Sequence, residues 1–247
     1  MGLPHRYLPW ILASCTLVEA NELQPLGDEF EDSATLARWQ RLYQVENWGH
    51  DQLETWDIDT TTAGQMRMQP YTSSWFNNLR GVLVHKRITG DFIATARVTV
   101  GSRHNPGDPT EPPNRSFSLA GIFVHRPIPS RVAPRPMPEP PGTPGWPPPL
   151  APAAGAYTTD WLPGQENYIF LSFGAAGNPG TRQYEVKTTL NSNSQLYYDN
   201  RGVPDSPQID LQLVIVGETA VVLRRHPGGP WIVENRYVPG GGYRRSI

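Results

Sequence analysis

The stretch "GDFIATARVTV" (residues 90–100) sets the fold class. Phe92, Ala94, Ala96, Val98 and Val100 fall on one side of an extended chain, and Ile93, Thr95, Arg97 and Thr99 on the other. That period of two is the pattern of a half-buried antiparallel strand. It recurs in "GQMRMQP" (64–70), "RGVLVHKR" (80–87), "SFSLAGIFVH" (116–125), "NYIFLSF" (167–173), "RQYEVKTTL" (182–190), "IDLQLVIV" (209–216) and "TAVVLRR" (219–225). Breakers such as Thr89-Gly90-Asp91, Asn178-Pro179-Gly180 and Gly217-Glu218 separate the runs. Only "DSATLARWQRL" (32–42) has helical spacing, enough for one short helix or turn. Many short strands between turns predict an all-β sandwich or jelly roll.

The remaining composition narrows the function classes. With 247 residues and 38% hydrophobic content the chain can bury a large core. A net charge of -2 gives no pull toward nucleic acid or an anionic membrane, and no nucleic-acid partner is expected. The single cysteine, Cys15, excludes an internal disulfide framework and a thiolate metal cluster.

Residues 1–27 read as a leader or a flexible N-terminus. "MGLPHRYLPWILASCTLVEA" has a short basic start, an apolar run and small residues after it, which points to export. Leu12-Ala13-Ser14-Cys15 also fits a lipobox, so the one membrane attachment the sequence offers is a lipid anchor at Cys15. Pro9 and the short apolar run leave a cytoplasmic location as the alternative.

Between "AGIFVH" and "ENYIF" the chain holds twelve of its 27 prolines at positions 127–152. Such density favours polyproline II and cannot supply ladder donors. The strand runs on either side are each too few to close a core, so residues 28–247 are read as one sandwich interrupted by a Pro-rich loop at 127–156. "PRPMPEPP" has the form of a ligand for aromatic grooves, but a solvated insertion without a protein partner is the expectation.

Several motifs occur in a familiar order: "DEFEDSATLARWQ", "GQMRMQPYTSSWF", "LVHKRITGDFIATARV", "SLAGIFVHRP", "ENYIFLSFG" and "YEVKTTLNSNSQL". Over residues 28 to 237 they resemble a bacterial group of concanavalin A-like lectin/glucanase domains of the domain of unknown function 1349 type, related to the C-terminal domain of some β-xylosidases. The resemblance implies a concanavalin A-like jelly-roll β-sandwich of two antiparallel sheets. It implies no particular activity, since that superfamily holds both enzymes and binding modules. Two departures stand out. His125 occupies the strand end where members carry Arg, and the chain runs into "GGGYRRSI" where members form another strand, which would leave a sheet edge open.

No catalytic signature emerges. A retaining glucanase needs two carboxylates about 5 Å apart, usually alternating on one strand. In "LETWDID" Asp57 and Asp59 share a face but Glu54 does not. The loop "RHNPGDPTE" (103–111) clusters oxygen ligands without the spacing of a calcium loop, and the six histidines show no ligand spacing, so neither a metal nor a cofactor is expected.

What remains is a polar face. Glu185, Lys187 and Thr189 alternate with Tyr184, Val186 and Thr188 and should leave the core together; strand pairing of the kind the resemblance implies would bring His125, Lys86 and Glu166 near them. One reading is a solvated ladder of charges. The other is a carbohydrate-binding concavity, in which sugar C–H faces stack on aromatics and hydroxyls bond amides and charged groups. The candidate ligand-binding residues are Trp75, Asn77, Lys86, His125, Glu166, Glu185, Lys187 and Asn191, with Asn78, Arg80, Asn193, Gln195 and Tyr197 supplying the same chemistry nearby. The expected function is a non-catalytic carbohydrate-binding or surface-interaction module for a carbohydrate or glycoconjugate. The alternatives are a glycoside hydrolase with an atypical acid pair involving Glu54, Asp57 or Glu185, and an envelope scaffold acting through the Pro-rich loop.

Overall fold

The computed structural model describes residues 23–46, 52–71, 73–77, 79–103, 105, 108, 110–126, 164–199 and 206–237. The strand that opened the sequence reading, β5 (Phe92–Thr99), lies at one edge of a four-stranded sheet. It pairs antiparallel with β10 (Gln208–Val216), and β11 (Thr219–Arg225) and β12 (Ile232–Tyr237) follow as a meander. The second four-stranded sheet is an antiparallel meander of β6 (Ser118–His125), β7 (Tyr168–Ala175), β8 (Gln183–Leu190) and β9 (Asn193–Asp199). Two short ribbons flank these sheets, β1 (Gln40–Arg41) with β4 (Val84–His85) and β2 (Leu53–Ile58) with β3 (Met66–Pro70). Among the described residues the chain is nearly all β, an all-β sandwich as the alternation predicts.

Alternation decides what the sandwich encloses. Ile209, Leu211, Leu213 and Ile215 of β10 meet Ile169, Leu171 and Phe173 of β7 and Tyr184 and Val186 of β8 in one buried cluster. Phe92 and Val98 pack against it, and Val100 just past β5 belongs to it. Each fully buried Ile, Leu or Phe contributes about 1.5–3 kcal/mol, so this cluster is the main source of cohesion between the sheets. The odd residues of β5 face outward, and Ile93 is 64% exposed.

A second, smaller cluster forms on the opposite face of the β6–β9 sheet. Leu42, Trp75 and Tyr168 are its buried members, with Tyr43, Leu83, Phe123 and Phe170 packed against them. Trp75 lies 4.6 Å from Phe123 and 5.3 Å from Tyr168 between ring centroids. Its indole N–H donates to the Val82 carbonyl at 2.9 Å.

Local structure departs from the alternation in instructive places. The helical spacing at 32–42 becomes a 3-10 turn, Ser33–Arg38, capped by the Asp32 carboxylate on Ala34 N–H at 2.9 Å, followed by β1 and one α-turn, Leu42–Val45. Residues 80–87 give only the two-residue β4, and Arg80 ahead of it enters an ionic network. The hairpin β8–β9 turns through Asn191 and Ser192, both at positive φ (50° and 63°), the geometry of a two-residue type I′ turn. Cys15, Asn78 and residues 127–163, which include the whole proline tract, lie outside the described residues, as does the C-terminal "GGGYRRSI".

Candidate binding face

The polar residues singled out by alternation lie on the outer face of the β6–β9 sheet, away from the main core. Register sets them in rungs. Gly121, Ser172, Glu185 and Tyr198 stand side by side, then Phe123, Phe170, Lys187 and Leu196, then His125, Tyr168, Thr189 and Ser194. This is not a solvated ladder: Glu166, Ser172, Glu185, Lys187 and Thr189 are all buried.

Lys187 Nζ lies 3.0 Å from Glu185 Oε1. At that distance the two form a buried ion pair, and neither carboxylate oxygen has a further partner among the described residues. Burial pushes the Glu185 carboxyl above the ordinary glutamate value, and the Lys187 charge recovers only part of that shift.

At the far end of the sheet sits a tighter network. Arg80 bonds Glu46 with Nη1 and Glu166 with Nε, and all three side chains are buried. Glu166 Oε2 is 3.0 Å from His125 Nε2. Burial alone would raise Glu166, but the His125 hydrogen bond and the Arg80 charge hold it below the usual glutamate range. Burial lowers His125 despite Glu166, and Arg80 adds to the effect, so the imidazole is kept neutral beside a carboxylate. Glu46 is the member that sequence alternation could not find, since it follows a single α-turn with no periodic signal.

This network also ties the strand ends that flank the proline tract. His125 ends β6 and Glu166 precedes β7 by two residues. Arg126 N–H donates to Asn167 O at 3.0 Å, while Ser192 N–H donates to Glu166 O at 2.9 Å and Glu166 N–H donates to Ser192 Oγ at 3.1 Å. Asn167 Oδ1 then accepts from Asn191 N–H at 3.0 Å.

The remaining candidates divide. Asn77, at φ 51°, donates its N–H to Ser194 Oγ at 2.7 Å and accepts Ser194 N–H on Oδ1 at 3.0 Å, so it joins the β8–β9 turn beside Trp75 and Asn191. Trp75 is buried against His125 and Tyr168 and offers no open stacking surface. Lys86 lies elsewhere: Nζ donates to Leu26 O at 2.9 Å, stands 4.0 Å from Asp28 and sits over the Trp39 ring.

The accessible surface of this region is β9. Tyr197 and Tyr198 are 48% and 39% exposed, and Asn191, Asn193 and Gln195 are exposed beside them. Asn193, Gln195 and Tyr197 share one side of the strand. Tyr237 of β12 reaches as far as β8, where its hydroxyl accepts from Thr188 Oγ1 at 2.6 Å. These three side chains therefore line the rim of the sandwich.

The acids weighed for hydrolysis have other partners. Glu54 pairs with Arg103 and accepts from Gln69 at 2.9 Å. Asp57 caps its turn by accepting Thr61 N–H at 2.9 Å and Thr61 Oγ1 at 2.7 Å. Glu185 stands opposite Ser172, six residues from Glu166, about 20 Å along the strand at ~3.3 Å per residue. That exceeds the carboxylate spacings of about 5–9.5 Å used by glycosidases. Among the described residues no three His, Cys, Asp or Glu side chains converge on a metal position.

No protein-family model, no curated protein and no solved structure matches this chain. The functional reading therefore rests on the residues and their geometry.

Proposed function

We propose that this chain is a non-catalytic carbohydrate-binding module of the jelly-roll type, whose ligand lies along the β9 rim. The observation that carries this is the line of Asn193, Gln195 and Tyr197, exposed amides and an exposed ring at two-residue spacing on one side of a strand. Alternate residues on a strand are about 6.6–6.8 Å apart. Planar amides at that spacing can exchange hydrogen bonds with successive hydroxyl pairs, while an exposed ring accepts the C–H face of a pyranose. The hairpin below is held rigid by the Asn77–Ser194 exchange and the type I′ turn, so little ordering is left for the ligand to impose.

In this reading the buried ions are scaffold. Glu166, His125, Glu185 and Lys187 fix the sheet that presents the rim, and Trp75 and Asn191 support its turn. Lys86 has no part in it. The leader-like N-terminus favours a module acting outside the cytoplasm on a glycan or glycoconjugate. Hydrolysis finds less support, because the acids considered for it are spent in caps and ion pairs.

A glycan array and a polysaccharide pull-down test the proposal. Binding by the wild type that falls about tenfold or more in Tyr197→Ala and Gln195→Ala is the expected result. Absence of binding by a chain whose circular dichroism is that of a folded β protein sinks it.

A further inference from the structure

The sheet opposite the binding rim carries a second surface. On the outer face of β5–β10–β11–β12, register aligns Ile93, Val214 and Val221 in one rung, which ends at the exposed Arg236 on β12, and Thr95, Gln212 and Leu223 in the next, with Val233 beside Leu223. Ile93, Val216 and Val233 are 64%, 57% and 53% exposed. An aliphatic band of this kind across β5, β10 and β11, edged on β12 by Val233 and Arg236, is the sort of surface a domain buries against a partner.

The ends of the band carry opposite charge. At the end where β10 turns into β11 lie Asp91, whose carboxylate accepts Gly217 N–H at 2.8 Å, and the exposed Glu218. At the other end Arg97 and Arg225 flank the single carboxylate of Asp210, at 2.8 and 3.0 Å, leaving one positive charge in excess.

We propose that this face is the contact between two copies of the chain, packed face to face about a two-fold axis that runs across the strands. Such an axis reverses strand direction. Passing between the two central rungs, it lays the Ile93 rung of one copy on the Thr95 rung of the other. It also sets Asp91 and Glu218 of one copy over Arg97 and Arg225 of the other, twice by symmetry. Self-complementarity of this type is what an isologous dimer requires. The four strands, about 4.8 Å apart and about 23 Å long, give a face at the small end of specific interfaces, so the association is weak and reversible. The binding rim on β9 lies on the other sheet and stays open.

Sedimentation equilibrium of the full chain from about 1 μM to about 500 μM tests this, with circular dichroism to confirm the fold of each variant. The expected result is a mass rising from one chain to two, with a midpoint on the order of 10 μM. Ile93→Lys and Val216→Lys, both at exposed positions, should each weaken association about tenfold. Glu218→Lys should weaken it several-fold at low salt and much less at about 1 M salt, where the Debye length is about 3 Å. A chain that stays monomeric throughout overturns the proposal. So does a dimer that tolerates both lysine substitutions, and one unchanged by Glu218→Lys overturns the antiparallel arrangement.

Discussion

Lys187 Nζ lies 3.0 Å from Glu185 Oε1, two residues back on the same strand, and both side chains are closed to solvent. Removing one partner strands the other charge, whereas replacing both with apolar groups removes two desolvation penalties together. Lys187→Met alone should therefore cost about 3–5 kcal/mol, while Glu185→Leu with Lys187→Met should be neutral or more stable by up to about 4 kcal/mol. Urea denaturation of the three proteins decides this. A double variant as unstable as the single one would show that the pair does more than balance its own burial.

The pH dependence has two opposing parts. His125 is lowered in the folded chain from 6.5, so as pH falls the unfolded chain takes up the proton first. Its contribution is complete above about pH 6.5 and is lost on acidification below that value. Glu185 is raised from 4.5, so its folded form holds the proton more tightly, and its contribution is lost as pH rises from 4.5 through the folded value. His125→Gln should flatten the fall in urea midpoint between pH 7.5 and pH 5. His85, lowered mainly by burial and then by Arg87 and His125, has the same sign, so some slope persists in that variant.

Arg80 serves two carboxylates that do not meet otherwise. Arg80→Met leaves Glu46 and Glu166 buried without their cation and should cost about 3–5 kcal/mol. Arg80→Lys keeps the charge but not the two-sided fork, and should recover only part of the loss. Thermal midpoints rank the three; equal stability of Arg80→Lys and wild type would reduce the network to simple charge balance.

Asp28 gathers the N-terminal turn. One carboxylate accepts the Trp39 indole N–H at 2.8 Å, Phe30 N–H at 3.0 Å and Thr35 Oγ1 at 3.2 Å, with Lys86 at 4.0 Å. Asp28→Ala should cost about 1 kcal/mol and shift Trp39 fluorescence, because the half-buried indole N–H loses its acceptor.

Gly174 has φ 141°, and a Cβ there would collide with the Ser118 carbonyl of the paired strand. Gly174→Ala should cost about 1–3 kcal/mol and loosen the β6–β7 ladder at that end. Faster amide exchange of residues 118–120 is the measurement, and unchanged exchange would refute it.

Alternation made most of the sandwich legible. Residues 219–225 form β11 as predicted, and β5, β6, β7, β8 and β10 lie within two residues of their expected bounds. Four strands escaped it, β1, β2, β9 and β12, the last two for identifiable reasons. β9 follows a turn of Asn191 and Ser192 without glycine and is polar at alternate positions, and β12 carries a bulge opposite Val222 and Leu223 that breaks its period. At the candidate site, alternation placed Glu185, Lys187 and Thr189 on one face but could not say that this face is buried. Burial depends on what covers a strand, and nothing in the period of β8 encodes its cover.

The β5–β10 ladder has a kinetic consequence. Thr99 pairs with Gln208, so the ladder closes a loop containing all of β6 to β9 together with the proline tract. Closure entropy grows only with the logarithm of loop length, about 0.6 kcal/mol per doubling. The tract lengthens this loop by less than a doubling and therefore costs the native state a few tenths of a kcal/mol. Its larger effect is on time. Each meander can zip locally, but their joining at β5 and β10 waits on a long-range encounter, which puts this chain among the slow, high-contact-order folders.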